Sequence, residues 1–331
     1  MTTAVVILNW NGKKLLEQFL PSVLAHSAEA TIYVADNAST DDSVPFLAEA
    51  FPSVQIIQNK SNGGYAKGYN DALKHLTEDI FVLLNSDVEV TENWLVPVID
   101  QFRNDTKLDA AQPKILDYKN RTHFEYAGAA GGFLDSLGYP FCRGRVFNEI
   151  EEDKGQYNDI KSIFWATGAC LFVRNSAFKN IGGFDEDFFA HQEEIDLCWR
   201  LQANGGEISY VGISAVYHVG GATLAASNPK KTFYNFRNTL LLLVKNRKGF
   251  STWRIILLRL LLDALAGIQF LFQGKIKHIL AIIKAHISFY LLIPRFLQKR
   301  KKHASSLKYA ILKSIVWEYF VKKNRNFNMY D

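Results

Sequence analysis

Several carboxylates in this chain stand at the ends of segments destined for the core. The stretch LLNSDVEV, residues 83–90, carries an apolar run at 80–84 straight into Asn85, Ser86, Asp87 and Glu89. Burying an unpaired carboxylate is costly, so such acids must emerge where an ion, a partner or water satisfies them. The arrangement recurs: a run at 4–8 ends in Asn9-Trp10-Asn11-Gly12, and one at 31–35 ends in Asp36-Asn37-Ala38-Ser39. A denser group, Glu193, Glu194 and Asp196, lies in FDEDFFAHQEEIDLCWR at 184–200, and a lone His218 follows the apolar run of AVYHVGG. Carboxylates so placed can hold a hard divalent cation or take a proton from a hydroxyl. They can also do no more than complement a helix N-terminus.

The elements that position these residues follow from hydrophobic patterning. Runs at 4–8, 31–35, 54–57 and 80–84 are continuous rather than alternating, which predicts parallel strands buried on both faces. Helix-compatible stretches at 13–27, 41–51 and 64–77 separate them, the second opened by the capping-type residues Ser39 and Asp41. Alternating strand and helix imply a doubly wound α/β sheet, in which ligands bind beyond the carboxyl ends of the strands. On that rim the polar residues of the three motifs gather. From Glu193, the spacing of Ile195, Cys198, Trp199 and Gln202 predicts an amphipathic helix stopped by Gly205, with the acids in its first turn. Gly63 and Gly64 open a helix whose amides can meet a diphosphate, or form an ordinary glycine-rich turn. Residues 104–165 read as loops and edge strands over the site.

Composition bounds the alternatives. With 331 residues, 48% hydrophobic and 13% aromatic, the chain is not disordered and suits one enlarged domain plus an extension. Three widely spaced cysteines without a CxxC pair argue for a reducing compartment and against a zinc or disulfide framework. MTTAVVILNW shows neither a basic n-region nor a small-residue cleavage site, so the chain is expected in the cytoplasm. The turn NWNGKK lacks both GxGxxG and GxxxxGK[ST], which excludes Rossmann dehydrogenases and P-loop enzymes.

Six ordered segments, VVILNWNG, VADNASTDDS, NGGYAKGYNDAL, LLNSDVEV, GGFDEDFFAHQEEIDLCWRLQANG and YHVGGAT, resemble glycosyltransferase family 2 over residues 3–247. These are inverting nucleotide-sugar transferases of GT-A fold, and the likeness is to the rhamnosyltransferase-like members. The resemblance implies a mostly parallel, Rossmann-like doubly wound sheet. It makes Asp36 a nucleobase contact, although Asp36 and Ser39 could merely cap the next helix. It makes Asn9, Asn11, Asn62 and Gly64 donor-lining residues. NSD stands for the family's DxD-type motif, with Asn85 in the first acidic place. Asn85 and Ser86 then face the donor, and Asp87 is left as the ligand of Mg²⁺ or Mn²⁺. His218 completes the metal site or is structural, and Glu89 either supports the site or points to solvent. The second acid of the family's ED pair maps to Glu194, which becomes the base, with Glu193 and Asp196 positioning loops or the acceptor. Arg237, with Lys230, Lys231 and Tyr234, forms a lid by the diphosphate or a solvated basic face. The implied donor is a dTDP- or UDP-sugar, with rhamnose suggested. The implied acceptor is a hydroxyl on a glycan or lipid-linked molecule in cell-surface polysaccharide synthesis.

The C-terminal part has a different character. Residues 245–331 hold 18 Lys and Arg against 3 Asp and Glu, a net of +15, whereas the rest is net −10. Between 253 and 293 the chain is very apolar, yet Arg254, Arg259, Asp263, Lys275, Lys277 and Lys284 leave no charge-free window of the ~18 residues that a spanning helix wants. Arg259 and Asp263, with Gln269 and Gln273, form a narrow polar stripe typical of an interfacial helix, and RFLQKRKKH follows at 295–303. The expectation is a catalytic domain at 1–247 and an extension at 248–331 that holds the enzyme on the inner face of the cell membrane. The other reading is a helical hairpin packed on the domain or on a second copy in a homo-oligomer. Nucleic acid is not an expected partner. The rival functions are a nucleotidyltransferase, whose glycine-rich first loop NWNGKK does not match, and a catalytically silent nucleotide or glycan binder.

Overall fold

The structure, a computed structural model, describes residues 1–220 and 228–327. The chain opens with β1 (Thr3–Asn9), α1 (Lys13–Ala25), β2 (Thr31–Asp36), α2 (Ser43–Ala50), β3 (Gln55–Gln58), α3 (Gly64–Leu73), β4 (Ile80–Asn85) and a short β5 (Val88–Val90). Strands β3, β2, β1 and β4 lie side by side and parallel, with Asn9 beside Asp36 and Leu8 beside Asn85. The continuous runs are buried on both faces. Phe81 and Leu83 of β4 pack with Tyr69 and Trp199, while Ile80, Val82 and Leu84 pack with Leu16, Leu20 and Trp94. Each such side chain contributes about 2 kcal/mol of transfer free energy, so this half of the sheet is a rigid platform.

After α4 (Val96–Asn104) comes β6 (Leu108–Asp117), then β7 (Gly132–Asp135), β8 (Pro140–Cys142), β9 (Arg145–Val146), β10 (Glu149–Ile150), β11 (Ile160–Ser162), β12 (Cys170–Arg174), α5 (Asn175–Asn180), α6 (Glu193–Ala203) and β13 (Glu207–His218). Strand β12 inserts antiparallel between β4 and β6, and β13 runs parallel to β6, which extends the sheet to the order β11-β13-β6-β12-β4-β1-β2-β3. The fold is thus a mixed α/β structure around a doubly wound sheet, as the patterning implied.

Within 104–165 the sequence reading needs correction. Residues 108–117 form a buried central strand, not a loop, and β7 to β10 join β14 (Ala310–Leu312) in a second small sheet. The polar residues that disguised β6 are satisfied internally. Gln112 accepts from the Thr167 amide (2.9 Å) and donates to the Gly128 carbonyl (3.3 Å), and Lys114 pairs with Asp153 at 2.7 Å. The helices also begin and end differently. α2 starts at Ser43, whose amide is accepted by Asp41, and Ser39 turns instead toward the β1 loop.

Three helices follow: α7 (Pro229–Asn246), α8 (Ser251–Phe272) and α9 (Ile276–His303). Helix α9 lies parallel along α7. Thr232 meets His278 at 2.7 Å at one end, and Arg300 donates to the Val244 carbonyl at 2.6 Å at the other. The remaining segment returns to the sheet-bearing body, where β14 pairs with β7 and Phe327 packs 5.3 Å from Phe133 between ring centroids.

Candidate active site

The rim over β1 and β2 is a closed polar lattice. Asn9 donates to Asp36 Oδ1 (3.1 Å) and lies 3.3 Å from Ser39 Oγ, while Asp36 Oδ2 accepts the Ser39 amide (2.9 Å). Asn11, at φ 52°, accepts the Thr40 amide through its side chain (2.7 Å). Asp36 is buried with both oxygens engaged inside the protein, so in this state it braces the rim. Asn9 keeps a buried Oδ1 without a partner, aimed beside Gly12, where a Cβ would fall 2.4 Å from it. Half-buried Ser86 closes this corner, its Oγ 3.9 Å from the same point.

The N-terminus of α3 does not present free amides as the glycine pattern suggested. The Gly64 amide is capped by Asn62 Oδ1 (2.9 Å), and the Tyr65 amide donates to the Phe189 carbonyl (3.0 Å). Gly64 sits at φ +75°, and a Cβ there would lie 2.6 Å from that carbonyl. Only glycine combines this conformation with so close a backbone approach. Asn62 and Gly64 therefore form the seat on which the 189 turn rests.

A second cluster forms where β5 folds back on β13, with Val88 opposite His218. This pairing brings Asp87 Oδ1 to 3.2 Å from His218 Nε2, with the Asn85 side-chain amide 3.4 Å from the same nitrogen. On the far side Glu125 Oε2 lies 3.3 Å from Nδ1, within charge-pairing reach although not aligned as a hydrogen bond. Burial alone would lower the His218 pKa, but bonding and charge from Asp87 and Glu125 outweigh it and raise it to about 10. The ring is thus gripped by carboxylates on both nitrogens. Carboxylate at one nitrogen and a cation at the other is how metal-binding histidines are commonly oriented. One carboxylate and one imidazole, with phosphate oxygens and waters, make a fitting set for Mg²⁺ or Mn²⁺. Among the described residues no group of three or more His, Cys, Asp or Glu could enclose a metal by itself. Glu89 turns away to pair with Arg121 at 2.8 Å. Of the glycines after His218, Gly220 abuts Glu125, and Gly221 lies outside the described residues.

The third cluster is the first turn of α6 and the strained loop before it. Phe189 forms a three-residue turn closed by the Ala190 amide on the Phe188 carbonyl (2.7 Å), and Phe189, His191 and Gln192 all have φ between 63° and 75°. Each such residue costs about 1–3 kcal/mol, so the surroundings must over-determine the loop. They do so through α7. Fully buried Asn238 donates to the carbonyls of Phe188 (3.0 Å) and His191 (2.7 Å), and Arg237 donates to those of Asp187 and Phe188 (both 3.2 Å). Arg237, expected beside the donor, is buried and committed to the backbone of this loop. Asn238 carried no motif and was not singled out in the sequence.

Glu193 is buried and Glu194 half-buried, and each has an Oε2 atom without a partner, as does the Gln192 side-chain oxygen. Burial, reinforced by the charge of Glu194, raises the Glu193 pKa well above the carboxylate range. Burial likewise raises Glu194 to about 7, against the lowering effect of nearby backbone amides. Asp196, two residues beyond this pair, is different. It accepts from Lys245, Arg200 and Asn246, each at 2.8 Å, and these cations hold its pKa far below the usual range despite burial. Asp196 thus faces away from the cleft and ties α6 to α7, which removes it from the residues able to touch an acceptor.

Two side chains connect the second and third clusters across the cleft. Tyr65, in charge reach of Glu193 and Glu194, donates to the Gly168 carbonyl (2.9 Å), and the next residue, Ala169, accepts the Asn85 amide (3.0 Å). Half-buried Lys231 lies within charge reach of both Glu125 and His191. At the mouth, exposed Phe189 stacks on Tyr234 with centroids 5.5 Å apart. These contacts bring the Asp87–His218 cluster and the first turn of α6 near one another on the same side of the sheet.

A doubly wound sheet with a split acidic motif at one strand end, together with an acidic first turn on α6, fits the class of nucleotide-sugar transferases. Residues 4–182 match the model of Glycosyl transferase family 2, and the chain belongs to that family. It is similar to N-acetylglucosaminyl-diphospho-decaprenol L-rhamnosyltransferase of Mycobacterium tuberculosis, 26% identical over 269 residues covering 76% of this chain and 86% of that protein. Among solved structures it resembles S. aureus TarS 1–349 in complex with UDP-GlcNAc (TM-score 0.55, 16% identity, 91% of this chain and 84% of that one). It also resembles the mannosyltransferase PcManGT of Pyrobaculum calidifontis in complex with GDP-Man and Mn²⁺ (TM-score 0.51, 13% identity, 88% and 75%). At these identities the solved structures establish the GT-A fold.

Proposed function

We propose that this glycosyltransferase moves a sugar, with inversion, from a nucleoside diphosphate to a hydroxyl of a lipid-linked glycan. The reading assigns transfer chemistry to 1–247 and a separate, supporting role to 248–331. The observation that carries it is the free oxygen of Glu194, an acid without a cationic partner that burial raises to about 7. A base of that pKa is half ionised at neutral pH and matched to a proton transfer there. The acceptor hydroxyl gives its proton to Glu194 as its oxygen bonds to the anomeric carbon. The bond from that carbon to the diphosphate oxygen breaks on the opposite face. Asp87 and His218 Nε2 would hold Mg²⁺ or Mn²⁺, whose charge offsets that of the departing diphosphate. Lys231 reaches the same region with a cation of its own. Glu193, kept protonated by its buried neighbourhood, leaves Glu194 as the ionising member of the pair.

A dTDP- or UDP-sugar is the donor class for cell-surface polysaccharide synthesis, and rhamnose and a lipid-diphosphate-linked acceptor are supported by the name of the mycobacterial relative. The work would take place at the cytoplasmic face of the membrane that carries the acceptor. Purified wild type should consume a nucleotide sugar in the presence of Mn²⁺ and acceptor, and Glu194→Gln should bind the donor without turning it over. A silent binder, the competing reading, would show donor binding and no turnover in the wild type too.

A further inference from the structure

The hairpin of α8 and α9 turns few apolar side chains inward on α8: nearly fully buried there are Thr252, Arg259 and Asp263 beside the single aliphatic Ile256, whereas α9 packs inward through Ile282, Ala285, Phe289 and Phe296. Arg259 lies over the Tyr139 ring at 3.5 Å and donates to the Leu137 carbonyl (3.1 Å), while Asp263 meets His286 of α9 at 3.0 Å. Of the polar stripe read from the sequence, Arg259 and Asp263 form the inner seam, whereas Gln269 and Gln273 near the hairpin tip are exposed. The outward face is apolar: Leu257, Leu258, Leu261, Leu265, Ile268 and Leu271 are all 49–61% exposed. On α9 the stripe continues through Leu280, Ile283, Ile287 and Leu291. With 22 residues, α8 alone extends this face over ~33 Å, far beyond the scattered exposed leucines of a water-soluble surface.

Charge says what covers it. Lys277 and Lys284 flank the α9 stripe, exposed and, among the described residues, without an acidic neighbour within salt-bridge distance. Inside a protein interface each would be an unpaired buried charge, whereas at a lipid surface a lysine lays its stem along the apolar layer and keeps its ammonium among headgroups. At the other end of α9, Arg295, Lys299 and Lys302 line a cavity of about 450 Å³ together with His303, and Lys301 is exposed beside them. Lys299 and Arg295 pair with Asp187, and the lining holds five Lys and Arg side chains (Arg200, Lys245, Arg295, Lys299 and Lys302) against one acid, Asp185, which leaves it net positive.

Orientation follows from packing. Both helices are long and apolar enough to cross a bilayer by length and composition. However, α9 is fastened to the body at both ends, by His278 to Thr232 and by Arg300 to Val244, so only one face of the hairpin is free. A hairpin held in this way can lie on a bilayer and does not project into it.

We propose that the α8–α9 hairpin is an in-plane membrane-binding element, its outward leucine face entering one leaflet of an anionic bilayer and its basic α9 terminus gripping phosphate headgroups. Binding itself does not depend on the transfer reaction. A chain with no activity would still bind, so failure of one reading is separable from failure of the other.

The test is vesicle flotation of the full-length chain with phosphatidylglycerol-containing or pure phosphatidylcholine vesicles. Wild type should float with the anionic vesicles. Leu258→Glu/Leu261→Glu/Leu265→Glu should lower the bound fraction at least tenfold, and Lys301→Glu/Lys302→Glu should lower it about tenfold and erase the preference for anionic lipid. Thermal melts matching wild type show that both variants fold. A wild type that stays unbound with either vesicle, or a leucine variant that floats equally, overturns the proposal. So does a soluble dimer that fails to float and that the leucine variant dissolves, which would assign the face to a second copy. A Lys275→Cys probe at the hairpin tip should be labelled by an impermeant maleimide added outside the vesicles; protection would mean spanning and refute the in-plane geometry.

Discussion

Two sides of one helical turn carry acids of opposite fate. Glu193 and Glu194 face the cleft with free oxygens and no cation, and burial raises them. Asp196, in the same turn, faces Lys245, Arg200 and Asn246, and is lowered. Burial raises all three acids, and only Asp196 has counter-charges that outweigh it. An acid buried with its partners serves the structure, and an acid buried without them is available to chemistry. The network behind Asp196 extends the contrast. Lys245 also binds Asp185 at 2.7 Å, and Lys299 of α9 contacts both Asp185 and Asp187, so the loop that presents the free acids is anchored by the paired ones.

The largest effect should come from Glu194→Gln. Removing a general base typically costs 10²–10⁴-fold in turnover, and donor affinity measured by calorimetry should stay within about twofold. The same variant should be more stable at high pH. An acid whose folded pKa lies above its ordinary value of 4.5 has its favourable contribution below that value and loses it as pH rises through about 7. At pH 8 the glutamine variant should therefore gain roughly 2 kcal/mol, discounted for the open face of Glu194, or about 2–4 °C in Tm. Asp196→Ala should behave oppositely. Stranding Lys245 and Arg200 should cost about 3–5 kcal/mol in stability, read as a fall in Tm. If Asp196→Ala melted like wild type and Glu194→Gln melted lower, the distinction between the two sides would fail.

Glu125→Gln is a smaller perturbation. The Nδ1 side of His218 would lose its negative charge, and Mn²⁺ affinity in the presence of nucleoside diphosphate should fall about 10–100-fold by titration calorimetry. An unchanged affinity would mean that the ring is oriented by other means.

Much of this was legible in the sequence, and the gaps have physical causes. Continuous β-branched runs are buried on both faces because parallel strands have no water side, so β1, β2 and β4 and the rim acids at their ends could be read directly. Strand β6 was missed because Gln112, Pro113 and Lys114 break the apolar signal, and only the folded loops at 128, 153 and 167 reveal their partners. Glu125 and Asn238 act through residues far away in the chain, which no local spacing records. Arg237 and Asp196 were charged residues near a motif, and whether such a charge points to the cleft or to a buried partner is decided by tertiary packing. In the tail, periodicity revealed that Arg259 and Asp263 share a stripe, but not that the stripe faces inward. A helical repeat tells which residues lie together and leaves open which side meets the protein.

The most direct measurement is the pH dependence of kcat/KM for sugar transfer, in wild type and in Glu194→Gln. An unpaired, buried acid pair acting as the base gives a wild-type rate that climbs with unit slope and levels off above a midpoint near 7, belonging to the Glu193–Glu194 pair as a whole. The variant's residual rate should be flat across that range. A midpoint at the ordinary carboxylate value, or a limb near 7 that persists in the variant, would contradict the assignment of Glu194 as the base.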